Sequence, residues 1–280
     1  MVFVPHYTCT SSENQETFQY VRCRCCGLVQ INPQPVPAAV ARRYGENHGE
    51  DYLAYEKANE EAFLRLQELA LKDAGFFELE QMLLSGKTIP SGITAPSGAT
   101  VLDIGCASGS LLMMLKNRGW LVRGVEISGP QAAYCRERGL EVMALPLEEN
   151  RFPRQSFDVV LASHLIEHLN DPGNFVREVK RILKPGGRFF VTTPNITGLQ
   201  SRIFRSRWRS AIFDHLYLFS KRTLRLLLEN SGFTVERVKT WGGLGAGFAP
   251  LWAKRILDTV AKPLNFGDVM IVRARSIESE

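Results

Sequence analysis

Asp103 and Glu126 each end an apolar run, in VLDIG and RGVEI, where a carboxylate can meet a ligand rather than a core. After Asp103 the chain reads Gly105, Cys106, Ala107, Ser108 and Gly109, then an apolar series at helical spacing. Glycines there allow a sharp turn and a close approach of backbone to a ligand. What is missing narrows the ligand. A dinucleotide loop sets its glycines at G-x-G-x-x-G, and a P-loop ends in lysine. Here the spacing is G-x-x-x-G and no basic residue awaits a phosphate. Asp103 would put negative charge beside a cationic, amino-acid-like group, and Glu126 can accept from both hydroxyls of a ribose. An acid and two glycines that merely turn the chain are the plainer alternative.

A second group of residues suits proton transfer. Ser163, His164, Glu167 and His168 follow the strand-like run FDVVLA, and His215 stands further on in DHLYLFS. Imidazole titrates near neutral pH, so His215, His164 or His168 could take a proton from an acceptor. The first choice is His215, in the insertion 196–220. A hydrogen-bonded structural histidine is its alternative, and helix capping is the alternative for His168. Near the N-terminus Cys23-x-x-Cys26 forms a knuckle before Gly27. With His6 and Cys9 upstream it makes a candidate four-ligand structural zinc set.

These side chains need a scaffold. From Thr100 onward the pattern predicts strands at 100–104, 121–126, 141–144, 157–162 and 187–193, with helices at 109–118, 129–138 and 172–183 between them. Helix 221–231 and strands near 233–240 and 267–274 follow. Such repeated units imply an α/β fold, a mostly parallel sheet with helices on both faces. Prolines in Asn32–Pro37 mark a boundary, residues 38–85 read as helical, and Ser85–Gly98 reads as a loop. The expected organisation is a Cys-rich module (1–32), a helical cap (33–97) and a larger domain (98–280) carrying the insertion.

Composition sets outer limits. The 280 residues are 45% hydrophobic, enough for a sizeable core, and the net charge of +5 permits an acidic partner without demanding one. The absence of a long apolar run and of a basic-then-apolar start leads us to expect a soluble, cytoplasmic protein. Arg202, Arg205, Arg207 and Arg209 surround Trp208 in the insertion. A solvated helical face is the plain reading of that charge. The functional readings are a lid for an anionic acceptor, such as a phosphate-linked glycan or lipid, or a peripheral membrane contact. The stretch Trp241–Phe248 and the apolar segment Leu251–Leu264 could add a further acceptor wall.

Taken together, D-x-G-x-x-x-G, Glu126, the run Ser156–Leu169 and Leu183-Lys-Pro-Gly-Gly187 through Pro194-Asn195 resemble the class I S-adenosylmethionine-dependent methyltransferases over about residues 98–240. The Cys23-x-x-Cys26-Gly-Leu-Val stretch and Asp214-His215-Leu-Tyr-Leu-Phe-Ser are similar to a bacterial subfamily with an N-terminal Cys-rich, zinc-ribbon-like module. The resemblance implies a Rossmann-like, seven-stranded sheet whose last strand is antiparallel to the others. It implies that Asp103, Gly105, Cys106, Ala107 and Gly109 hold the methionine part of S-adenosylmethionine. Glu126 would hold the ribose, Ile127 one adenine face, Leu147 or Glu148 the adenine amino group, and Ser163 with His164 the space near the sulfonium. No Asn/Asp-Pro-Pro-aromatic motif follows the fourth strand, which favours an oxygen over an amino acceptor. His164, Glu167, His168 and His215 are also similar to the metal-binding E-x-x-E-H…H of small-RNA 2′-O-methyltransferases, with His164 in place of the first acid.

The expected function is therefore O-methylation of a small molecule, glycan or lipid-linked acceptor. A nucleic-acid-directed methyltransferase or nucleic-acid-binding protein, using the knuckle and the arginines, is the alternative. A nicotinamide-dependent oxidoreductase is disfavoured by the glycine spacing.

Overall fold

A computed structural model describes residues 2–10, 17–35, 46–85, 98–242 and 266–277; side chains are described from residue 17 onward, except those of 46–49 and 52. The chain opens with strands β1 (Val2–Thr10), β2 (Thr17–Arg22) and β3 (Val29–Asn32). Helices α1 (Glu46–Ala74) and α2 (Phe76–Leu84) follow, separated at Gly75, whose φ of 77° ends the first. The expected loop after Ser85 lies almost wholly outside the described residues, as does the segment 243–265 proposed as an acceptor wall.

The alternating part begins with β4 (Thr100–Ile104), α3 (Ser110–Asn117), β5 (Leu121–Val125), α4 (Gly129–Glu137) and the short β6 (Val142–Met143). It continues with β7 (Phe157–Ser163), α5 (Pro172–Ile182) and β8 (Leu183–Pro194). The insertion contributes α6 (Leu199–Phe204) and β9 (Tyr217–Leu218), and the chain ends with α7 (Lys221–Asn230), β10 (Phe233–Trp241) and β11 (Val269–Ser276). Seven strands form one sheet in the order β10-β11-β8-β7-β4-β5-β6. Strands β4 to β8 are parallel within it, and β11 runs antiparallel to both its neighbours. This is the Rossmann-like architecture expected.

Period-two burial explains why these segments are strands. Leu102 and Val160 face one core, while Val101, Val159 and Leu161 face the other, so both sheet faces are covered. Helix α5 is set by Asp171, which accepts from the Asn174 N–H at 2.8 Å, and by Pro172 in its first turn. Strand β8 starts earlier than the sequence pattern predicts. Lys184–Gly187, read as a stop and turn, stays in the strand as an irregularity of the β7 pairing.

Strands β1, β2 and β3 form a second, antiparallel sheet, and its fourth strand is β9 from the insertion. Tyr20, Val29 and Ile31 share one core with Trp208, Leu216 and Phe219. The boundary expected near residue 32 is thus a break in the chain but not in the packing. Among the described residues no helix is long and apolar enough to cross a membrane.

Candidate active site

The order of the sheet reverses between β4 and β7: chain from β4 moves one way through β5 and β6, then returns to β7 and β8. Ligands of open α/β sheets bind beyond the carboxyl ends of the strands at such a point. Asp103, Glu126, Ser163, His164 and Glu167 all lie there.

On the β4 side the loop turns with positive φ at Gly105 (72°), Ala107 (53°) and Gly109 (77°). Gly109 cannot carry a side chain, since a Cβ would lie 2.6 Å from Leu140 Cδ1 and 2.8 Å from Cys135 Sγ. Glu126 grips the loop: its Oε2 accepts from the Ala107 N–H at 3.0 Å and its Oε1 from the Ser128 N–H at 2.9 Å. Burial raises its pKa against the lowering by those amides. Asp103 is 2% exposed, and burial, then the charge of Glu126, pushes it up to about 8. Among the described residues no hydrogen bond or salt bridge reaches its carboxylate. Two buried acids facing one cleft call for a cation.

Other expected cofactor contacts divide by burial. Ile127 is 42% exposed beside Glu126, free to cover a flat ring, and Ser163 is half-buried at the end of β7. Leu147 is buried in the core and Glu148 exposed, both in the turn Leu147–Glu149. The Cys106 side chain packs with Leu112, Ala132, Cys135 and Val142, so it offers a ligand only its backbone.

Sequence reasoning missed Glu56. It reaches the same loop from α1, is 6% exposed, and is bonded by the Gln131 side chain and the Ser108 backbone. Burial chiefly, with Glu126 and Glu60 adding to it, pushes it up to about 7. Glu60, one turn on, bonds the Ser110 hydroxyl and Arg138, and Lys57 stands 3.9 Å above the Tyr134 ring. Only the i, i+4 spacing of the two acids in an amphipathic stretch hinted at this latch.

On the β7 side His164, with a φ of 52°, opens a turn through Ile166–His168. Leu165 from this turn lies against Gly105, joining the two halves. Glu167 is fully buried; its Oε2 accepts from the Thr193 hydroxyl at 2.9 Å, and its Oε1 lies 3.3 Å from His164 Nδ1. Burial would raise its pKa, but the close approach of His164 and the charges of His168, His164 and His215 outweigh that and hold it at about 2. The insertion brings His215 to the same place, its ring 4.8 Å from that of His168. Nitrogen or oxygen atoms of Glu167, His168 and His215 lie within 4.8 Å of one another.

The tautomers follow from the backbone. His168 Nδ1 is 2.9 Å from the Asp214 carbonyl and His215 Nδ1 is 2.8 Å from the Ser210 carbonyl. A carbonyl only accepts, so each Nδ1 carries a proton, and in the neutral ring each Nε2 would offer a lone pair. Burial lowers the His215 pKa, against the raising by Glu167 and the Ser210 carbonyl, and so disfavours the charged ring.

Of the candidate zinc set, the side chains of Cys23 and Cys26 are described and those of His6 and Cys9 are not. Cys23 and Cys26 flank the β2–β3 turn, and amides of Cys26, then Cys25, pull the Cys23 thiol down to about 7. Cys9, however, pairs with Phe18 near the start of β2, whereas Cys23 follows its last residue. At roughly 3.3 Å per residue that is about 16 Å along the strand, too far for one tetrahedral ion. His6 lies between them, where the register shifts and side chains are outside the described set. Spacing in sequence suggested four ligands, and the register sets the Cys9 backbone apart from Cys23 along β2.

A family model described as a methyltransferase domain matches residues 69–238. The ubiquinone biosynthesis O-methyltransferase of Caulobacter vibrioides is 37% identical over 107 residues, 36% of this chain and 42% of that protein. A Mycolicibacterium smegmatis protein named "probable S-adenosylmethionine-dependent methyltransferase" is 35% identical over 163 residues, 56% of this chain and 60% of its own. The chain thus spans about half the length of the curated relatives it matches. The fold is similar to that of a SAM dependent methyltransferase from Archaeoglobus fulgidus, with a TM-score of 0.55 at 21% identity, covering 79% of this chain and 99% of the other.

Proposed function

The chain belongs to the methyltransferase-domain family, and from that premise we propose that it is an S-adenosylmethionine-dependent enzyme that methylates an oxygen of a small-molecule acceptor. The observation that carries this reading is Asp103, buried beside Glu126 with no cation among the described residues to meet it. The loop fits the cofactor. Asp103 and the turn Gly105–Gly109 would hold its cationic amino-acid end, Glu126 its ribose hydroxyls, and Ile127 its base. Bound there, S-adenosylmethionine supplies an activated methyl group on a sulfonium.

The chain's own part is to position an acceptor and take its proton. In their neutral forms His215 and His168 would each offer Nε2 to that proton, and Glu167, gathered with both rings, would stabilise the imidazolium that forms. The names of the curated relatives support an oxygen acceptor and a small molecule. Arg202 and Lys221 both stand over the Phe266 ring, at 5.4 and 5.9 Å, which favours an anionic acceptor, free or carried on a glycan or lipid. Membership of the Cys-rich subfamily, a cytoplasmic location and a peripheral membrane contact belong to the same proposal, and nucleic acid is the disfavoured acceptor.

A second reading of the same cluster is favoured by its locked tautomers. Two Nε2 lone pairs and a carboxylate could hold a divalent cation, which would acidify an acceptor hydroxyl instead.

Labelled methyl transfer to small-molecule, glycan, lipid and RNA fractions of a cell extract tests both readings. Label should appear as methyl ether in the small-molecule fraction, and label in RNA alone would overturn the acceptor class. His215→Ala should cut turnover by about 100-fold while leaving cofactor affinity unchanged. Loss of transfer with a chelator selects the cation, and its persistence selects the base.

A further inference from the structure

His215 is held from outside its own segment. The Tyr20 hydroxyl lies 2.9 Å from the His215 carbonyl and 2.8 Å from the Ile212 carbonyl, across 195 and 192 positions of chain. Tyr20 is completely buried on β2. A buried phenol needs a partner for its one proton, and here both acceptors belong to the turn that His215 closes with its own N–H to Ile212 at 3.1 Å. The neighbours are held in the same way. The Ile31 N–H donates to the Leu216 carbonyl at 3.0 Å, Gln30 and Val29 pair with Tyr217 and Leu218, and the Phe18 ring packs 4.5 Å from that of Phe213. Residues before, at and after His215 therefore each have a partner within 18–31.

The other side of this turn is the cluster. With His215 Nδ1 spent on the Ser210 carbonyl, the placing of the ring against His168 and Glu167 depends on where the Ile212–His215 backbone sits. Packing alone would be met by phenylalanine. The hydroxyl adds one proton shared between two carbonyls, of which that of Ile212 also accepts from the His215 N–H and that of His215 would lose its donor.

We propose that the N-terminal strands are a positioning device for His215, and that Tyr20 is the positioning residue through which they act. The proposal rests on reading His215 as the acceptor-side group. It gives residues 17–32 a role in the reaction that does not require a metal at the cysteines.

The test is Tyr20→Phe in the full chain with nitrogen-15 histidine, studied with S-adenosylhomocysteine present. Melting temperature should fall by a few degrees and affinity for S-adenosylhomocysteine should stay within about twofold. The His215 ring should change from a single Nδ1–H tautomer to a mixture in long-range nitrogen–proton spectra. Amides 212–216 should exchange at least about tenfold faster. Phe18→Ala, which loosens the same turn without orphaning a carbonyl, should move those signals in the same direction by less, and it serves if Tyr20→Phe does not fold. A His215 ring spectrum and local exchange identical to wild type in the folded variants would overturn the proposal and leave Tyr20 a packing residue. Failure of the methyltransferase reading is separately visible, because a wild-type chain that binds no S-adenosylhomocysteine sinks that reading while the tautomer comparison stands.

Discussion

Asp103 and Glu126 oppose each other in a buried cleft, and their protonation follows from that. Asp103 is pushed up to about 8 and Glu56, from the other side of the loop, to about 7. A carboxyl with a raised pKa binds its proton more tightly folded than unfolded. It therefore stabilises the free protein at low pH, and that stability is lost as pH rises from about 4 toward 8. A bound cation favours the ionised form and offsets the loss. The melting temperature of the free protein should thus fall between pH 5.5 and 8, and the rise given by saturating S-adenosylmethionine should grow over the same range. Asp103→Asn should flatten both trends; identical slopes in wild type and variant, followed by calorimetry in matched buffers, would remove Asp103 as their source. Asp103 and Glu126 were legible in sequence because each ends an apolar run. Glu56 was not, since an acid in an amphipathic helix reads as solvent-facing until the helix is placed over the loop.

At the scale of elements, the strand–turn–helix β4–α3 is the part the sequence determines most closely, because glycines at left-handed positions and a period-two run leave few alternatives. Gly109 shows why. Gly109→Ala would bring a Cβ against Leu140 and Cys135 at a φ of 77°. The left-handed backbone costs about 1–2 kcal/mol and the overpacking about 1–3 kcal/mol. Urea unfolding should register a loss of about 2 kcal/mol or more, and a loss under 0.5 kcal/mol would mean that the loop relaxes freely. The two-residue strand β9 was not legible, as so short a run has no period to read. Its partner β3 lies far away in sequence, so the sheet β1-β2-β3-β9 emerges only in three dimensions. Register, equally unreadable from spacing, is what parts Cys9 from the knuckle.

As a whole, the molecule sets two groups of side chains at the carboxyl ends of its central strands. In the proposed reading the loop, the acids and helix α1 would take a cationic ligand, and the turn after β7 with the insertion would accept a proton, with the N-terminal strands braced against it. The arginines expected to line a lid are exposed, and only Trp208 among them is buried, so they shape the rim rather than the core. The most direct measurement is isothermal calorimetry of S-adenosylhomocysteine with the wild-type chain and with Asp103→Asn and Glu126→Gln. Wild type should bind one equivalent, and each variant should bind at least about tenfold more weakly, about 1.4 kcal/mol, while remaining folded. No heat from the wild-type chain, or equal affinity in all three, would contradict a cofactor site built on these two carboxylates.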